Sequence, residues 1–164
     1  MPFRPLADLA SLDLSTPVFG REALYEVLSQ QGRFALVDGV LHSDLERDLV
    51  VGYREVRSDE WWAKDHIPGR PLFPGTLMVE ASAQLATFDF HQRRPEVKDA
   101  FIGFTGIENT RFRATVEPDC RLLLVCRVAR LRSTMFTYDV QGVVDENIVF
   151  ESRISGMVLK GGKG

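Results

Sequence analysis

The sequence predicts an α+β domain in which one buried helix packs against a long run of antiparallel strands. Three observations lead there. Residues 76–88 (TLMVEASAQLATF) are small or apolar on every side and carry a single charge, Glu80; a helix apolar all round is a buried helix. From residue 101 onward the chain is strand-like, and Phe136, Tyr138 and Val140 alternate with Thr137, Asp139 and Gln141 at a period of two. The other helical stretches are short, which leaves a sheet packed on a helix as the layer arrangement.

The elements follow in order. Pro2, Pro5 and Pro17 make residues 1–20 an extended arm with a little local structure. Residues 21–29 form a short helix with Ala23, Leu24, Val27 and Leu28 on one side, ended by Gly32. Residues 33–40 and 48–56 read as two strands joined by a polar turn that holds His42. Residues 58–64 form a turn or short helix carrying Trp61 and Trp62. The loop 65–74 contains Pro68, Pro71 and Pro74, which exclude a helix and stiffen it. Residues 75–92 are the strong helix, and His91 falls at its polar end. Short strands are expected over 101–108 and 111–116, then longer ones over 122–131, around 136–140, and over 148–159 after a turn at 145–147. The domain division is an arm (1–20), one domain (21–160) and a tail (161–164).

A chain of 164 residues suits one domain with one core. It is 45% hydrophobic and 26% charged, in the range of soluble globular proteins. A net charge of −3 argues against a nucleic-acid partner, which wants a basic stripe. No apolar run reaches the ~18 residues of a membrane span, and the N-terminus lacks the apolar core of a secretory signal. The expected compartment is the cytoplasm. Cys120 and Cys126 would share one strand face as reduced thiols, without metal spacing. No metal site is expected.

Chemistry concentrates in one segment. Glu80 lies on the apolar helix with Leu77, Ala81, Gln84 and Phe88 around it. Glutamates are rarely buried without a partner, and desolvation favours the protonated carboxyl. Such a group is a candidate proton donor; the alternative is pairing with an arginine or opening to solvent at a cleft. Gln84, one turn on, either orients that carboxyl or plugs the helix. His66 opens the proline-rich loop and is a candidate base near neutral pH, although a lone loop histidine is more often structural or merely exposed. Pro74-Gly75 starts the helix, where unpartnered amides and the dipole would stabilise an oxyanion. Together these point to proton abstraction beside a carbonyl.

The run His66-Ile-Pro-Gly-Arg-Pro-Leu-Phe-Pro-Gly-Thr-Leu-Met-Val-Glu80-Ala-Ser-Ala-Gln84 resembles the signature of the FabZ-type 3-hydroxyacyl-acyl-carrier-protein dehydratases. Phe34-Ala-Leu-Val-Asp38 and Gly106-Ile-Glu-Asn-Thr-Arg-Phe-Arg113, followed by Val116-Glu-Pro118, are similar to two further stretches of that family, so residues 22–159 fit in all. The resemblance implies a hot-dog fold, a curved antiparallel sheet wrapped around a central helix. It implies a homodimer or a trimer of dimers, with His66 from one subunit meeting Glu80 of the other, and no added cofactor. His66 would remove the Cα proton of a 3-hydroxyacyl thioester and Glu80 would protonate the leaving hydroxyl. The Gly75 amide would hold the thioester oxygen, the Leu72 carbonyl would orient the imidazole, and Gln84 would position Glu80 or water. Glu rather than Asp at this helix position is similar to FabZ-type rather than FabA-type enzymes, the dehydratase–isomerases.

The sequence departs from the family pattern at 28–34, 59–65 and 118–120, outside the dyad and in segments bearing on substrate length and carrier recognition. An acidic acyl carrier protein would meet basic side chains, for which Lys64, Arg111 and Arg113 are candidates. Phe101 and Phe104 either line an acyl tunnel or pack in the core. Two other readings stand beside the dehydratase: a hot-dog thioesterase, and a non-catalytic acyl-binding protein.

Overall fold

The computed structural model describes residues 4–162. Seven strands form one antiparallel sheet in the order β1-β2-β3-β5-β6-β7-β4. They are β1 (Phe19–Gly20), β2 (Gly39–Asp44), β3 (Leu49–Val56), β4 (Ala100–Phe112), β5 (Cys120–Leu131), β6 (Met135–Val144) and β7 (Asn147–Gly162). The helices are α1 (Arg21–Val27), α2 (Trp61–Asp65) and α3 (Gly75–Arg93). The last strand takes in Gly161 and Gly162, which were expected to lie in a tail; 163–164 fall outside the described residues.

Helix α3 lies against β3, β5, β6 and β7. Ala81, Ala83, Leu85, Ala86, Phe88 and Phe90 are all almost wholly buried, on every side of the helix, as its composition requires. Alternation along the strands supplies the other half of this core. Leu122, Leu124 and Cys126 of β5 and Phe136, Tyr138 and Val140 of β6 face it. Cys126 is thus a core residue and Cys120 is half-buried; both are free thiols.

The opposite face of the sheet has its own small core. Leu49, Val51, Val125 and Val143 are buried there beneath Leu6, Leu9, Leu12 and Leu14 of the N-terminal arm. Gln141 clamps the arm, accepting from the Leu6 amide at 2.9 Å and donating to the Arg4 carbonyl at 3.1 Å. The arm is therefore packed structure, with one short 3-10 turn at Leu9–Ser11.

Three expectations are corrected. Residues 33–38 are not a strand: a 3-10 turn (Gly32–Phe34) leads into an irregular stretch where consecutive Leu36 and Val37 are both wholly buried. A strand buried on one face would have turned one of them outward. The two strands expected over 101–116 are one, β4, interrupted by three register shifts and by Asn109 at φ 54°. His42 lies in β2 rather than in a turn. His91, by contrast, keeps its expected place at the end of the helix, 4% exposed beside residues beyond α1 and the start of β4.

Candidate active site

The histidine loop is built to aim one side chain. The His66 amide donates to the Trp62 carbonyl at 2.9 Å and closes α2. Pro68 and Gly69 then reverse the chain; Gly69 has φ 81° and the Arg70 amide donates to the Ile67 carbonyl at 3.0 Å. Proline followed by a left-handed glycine is the signature of a type II turn. The reversal returns the Leu72 carbonyl to the imidazole, 2.9 Å from Nδ1. A carbonyl can only accept, so Nδ1 carries the hydrogen and the neutral ring keeps its lone pair at Nε2. His66 itself is exposed in the single chain.

The loop is anchored from beneath. Phe73 is buried, sits edge-on to Trp62 at 5.2 Å, and donates its amide to the Val116 carbonyl at 2.8 Å. Buried Arg54 lies 5.6 Å from the Phe73 ring, pairs with Glu60 at the start of α2, and donates to the Leu36 carbonyl at 3.1 Å. One guanidinium thus ties the loop to the irregular segment 35–38.

The carboxyl is aimed by a second network. Gln84 is 1% exposed and uses all four hydrogen-bonding positions of its amide. Its Oε1 accepts from the Tyr25 hydroxyl at 2.8 Å and the Leu36 amide at 3.1 Å. Its Nε2 donates to the Phe34 carbonyl at 2.7 Å and to Glu80 Oε1 at 2.9 Å. Tyr25 also accepts from the Val37 amide at 2.9 Å. Burial pushes its phenol up to about 12, so it remains a donor. With one oxygen held by Gln84, the other Glu80 oxygen is available to a ligand. Glu80 is half-buried, and among the described residues no arginine pairs with it.

Helix α3 begins at Gly75, ahead of Leu77 and Met78, whose amides donate to the Pro74 carbonyl at 3.0 and 3.2 Å. The Gly75 amide is therefore among those with no partner inside the helix. A Cβ at Gly75 would lie 2.7 Å from the Phe112 ring, so only glycine permits that approach.

The structure groups the remaining candidates differently from one another. Phe101 and Phe104 are 41% and 40% exposed on β4, outside the chain's core, and line a cavity with Thr87 and His91. Lys64 and Arg111 are exposed, and Arg113 pairs with Glu151. Among the described residues no hydrogen bond or ion pair joins His66 to Glu80 within one chain. Sequence reasoning missed Tyr25, Trp62, Phe73, Arg54 and Phe112. Only the two tryptophans beside the loop gave a signal, as apolar bulk with no other evident role.

An antiparallel sheet against one long apolar helix, preceded by a rigid histidine loop, defines a hot-dog protein. The fold is similar to the dehydratase heterocomplex ApeI:P from Xenorhabdus doucetiae, with a TM-score of 0.70 at 15% identity over 84% of this chain and 91% of that one. Residues 28–153 match the FabA-like domain. The chain is 33% identical over 140 residues to the 3-hydroxyacyl-[acyl-carrier-protein] dehydratase FabZ of Polynucleobacter asymbioticus, covering 85% of this chain and 92% of that one. It is 30% identical over 139 residues to the Campylobacter jejuni FabZ, covering 83% and 94%. The chain belongs to the FabA-like domain family and, within it, to the FabZ-type dehydratases.

Proposed function

We propose that the protein dehydrates 3-hydroxyacyl thioesters carried on acyl carrier protein, giving trans-2-enoyl thioesters, with His66 as base and Glu80 as acid. The observation that carries this reading is the bond between His66 Nδ1 and the Leu72 carbonyl, which leaves Nε2 as the basic nitrogen. Nε2 takes the proton from Cα. The Cα–H electrons form the Cα=Cβ bond as the Cβ–O bond breaks, and the departing hydroxyl takes the Glu80 proton to leave as water. The Gly75 amide, at the positive end of α3, stabilises charge on the thioester oxygen. Gln84 holds Glu80 in place throughout.

The working unit in this proposal is a homodimer, with His66 of one subunit beside Glu80 of its partner. The unpaired edge of β4 supports it. This strand of 13 residues ends the sheet and exposes Phe101, Phe104, Ile107 and Phe112. Long apolar edges invite pairing with another chain. A two-fold axis across β4 would extend the sheet and set the exposed histidine loop against a partner. Lys64, Arg111 and Arg113 are the proposed carrier contacts, and the cytoplasm the proposed compartment.

Purified protein mixed with a crotonyl thioester should abolish its ultraviolet absorbance as water adds, the reverse reaction. Equal traces from wild type and His66→Ala would contradict the proposal. Release of free thiol instead would mark a thioesterase.

A further inference from the structure

Stability alone is a poor reason to bury Arg54. The residue is 6% exposed, and among the described residues its Nε–H finds no acceptor. A buried ion pair is seldom a net gain, and an unsatisfied buried donor is a loss. What the side chain does hold is position. Nη1 donates to the Leu36 carbonyl at 3.1 Å, and Nη2 pairs with Glu60, the N-cap residue of α2. The guanidinium also lies over the Phe73 ring at 5.6 Å. Glu60 and Phe73 flank the histidine loop: α2 runs from Glu60 to the His66 amide, and Phe73 follows Leu72, whose carbonyl holds Nδ1. Leu36 leads to the acid. Its amide donates to Gln84 Oε1 at 3.1 Å, and Gln84 Nε2 donates to Glu80 at 2.9 Å. Base and acid of one chain are thus joined through a single guanidinium.

Resting on the shared-dyad reading, we infer that Arg54 is a positioning residue that couples the two active sites of the dimer. In that reading a chain gives its His66 to one site and its Glu80 to the other. A path of contacts between the two within one chain therefore runs from site to site. When substrate at one site pulls on Glu80, Gln84 draws on Leu36, and Arg54 passes the displacement to the loop that aims His66 at the other site. The path is buried and tight. Leu36 is wholly buried and Gln84 is 1% exposed, so neither can trade its partners for water. Arg54 has one acceptor in each half of the path. A planar guanidinium holds two acceptors in fixed directions while its face covers an aromatic ring. An apolar residue of similar volume would fill the same space and couple nothing. Residues joined in one hydrogen-bond network respond to each other's substitution, which makes the coupling measurable.

Mixed dimers isolate the path. A dimer of one His66→Ala chain and one Glu80→Ala chain keeps a single intact site, built from His66 of the second and Glu80 of the first. Arg54→Met with Glu60→Gln removes the guanidinium together with the carboxylate it would leave unpaired. Placed in either chain, this pair should lower kcat for crotonyl thioester hydration about tenfold and leave KM within about twofold. Arg54→Lys, which keeps a cation for Glu60, should restore most of the loss. A loss confined to one placement, or no loss in either, would overturn the inference. The His66 ring nitrogens, told apart from those of His42 and His91 in NMR spectra by comparison with His66→Ala, give a readout independent of activity. Gln84→Leu should shift them when Arg54 is present and not in the Arg54→Met/Glu60→Gln protein. No shift, or equal shifts in both backgrounds, would likewise overturn it. Shifts as expected, with no activity from mixed dimers that keep Arg54, would instead sink the shared dyad. The coupling of sites would fall with it, and Arg54 would remain a link between the loop and Gln84 within one chain.

Discussion

Replacing Gln84 by leucine keeps much of the side chain's bulk and removes every hydrogen bond it makes. The Leu36 amide, buried with a wholly buried residue, loses its acceptor, and the Tyr25 hydroxyl and Phe34 carbonyl lose partners as well. One orphaned buried amide costs about 1–3 kcal/mol, and the half-exposed Phe34 carbonyl can turn to water. Taking about 2 kcal/mol, a chain of this size should melt roughly 4–8 °C lower. The effect on catalysis is separate. Glu80 loses the side-chain donor that fixes its Oε1, at 2.9 Å, so the carboxyl samples unproductive rotamers. Misorienting a general acid should lower kcat about 10–100-fold while KM moves little. Thermal unfolding gives the first quantity and crotonyl thioester hydration the second. A Gln84→Leu protein that melts with wild type and keeps kcat within about twofold would refute the claim that this amide organises the site.

Other expectations follow the same geometry. Gly75→Ala puts a methyl 2.7 Å from the Phe112 ring, so kcat should fall severalfold; Phe112→Ala in the same chain should restore part of it if the clash is the cause. The Tyr25 phenol is held up to about 12 by burial, against about 10 in the unfolded chain. Its contribution to stability is therefore full below pH ~10 and falls by about 2 kcal/mol as pH rises to 12. Tyr25→Phe lacks this loss, so urea titrations should show a shallower alkaline decline; parallel declines would contradict it. Thiol reagents should modify half-buried Cys120 before Cys126, whose thiol burial pushes far up; the reverse order, read by mass spectrometry, would contradict the assigned burial. Deleting residues 1–14 uncovers Val51, Val125 and Val143 and should lower the melting temperature while leaving the His66 loop intact; an unchanged melting curve would show that the arm adds nothing.

The central helix was legible because its composition is extreme. Thirteen residues with one charge can only be buried, and the observed helix runs from Gly75 to Arg93. The alternation of β6 was equally plain. The path of residues 33–38 was not, because its backbone groups are met by side chains distant in sequence: Gln84 and Arg54 reach Leu36, and Tyr25 reaches Val37. A sequence window sees apolar residues there and reads a strand. The bulges of β4 were hidden for a related reason, since Asn109 adopts a left-handed conformation that pairing with β7 imposes. In the candidate site, the motif marked His66 and Glu80, while their supports carry no spacing of their own. Tyr25 falls within a short helix and Arg54 within a strand, and nothing in the sequence pattern brings either to the site.

The claim that His66 and Glu80 act as one dyad across a dimer is tested most directly by subunit complementation. His66→Ala and Glu80→Ala proteins, each inactive alone, are mixed, unfolded, refolded together and assayed for hydration of crotonyl thioester. If the site is shared, half the dimers are mixed and each has one intact site, so about a quarter of wild-type activity should return. Activity no higher than that of the separate variants, with mixed dimers verified by mass spectrometry, would contradict the shared dyad.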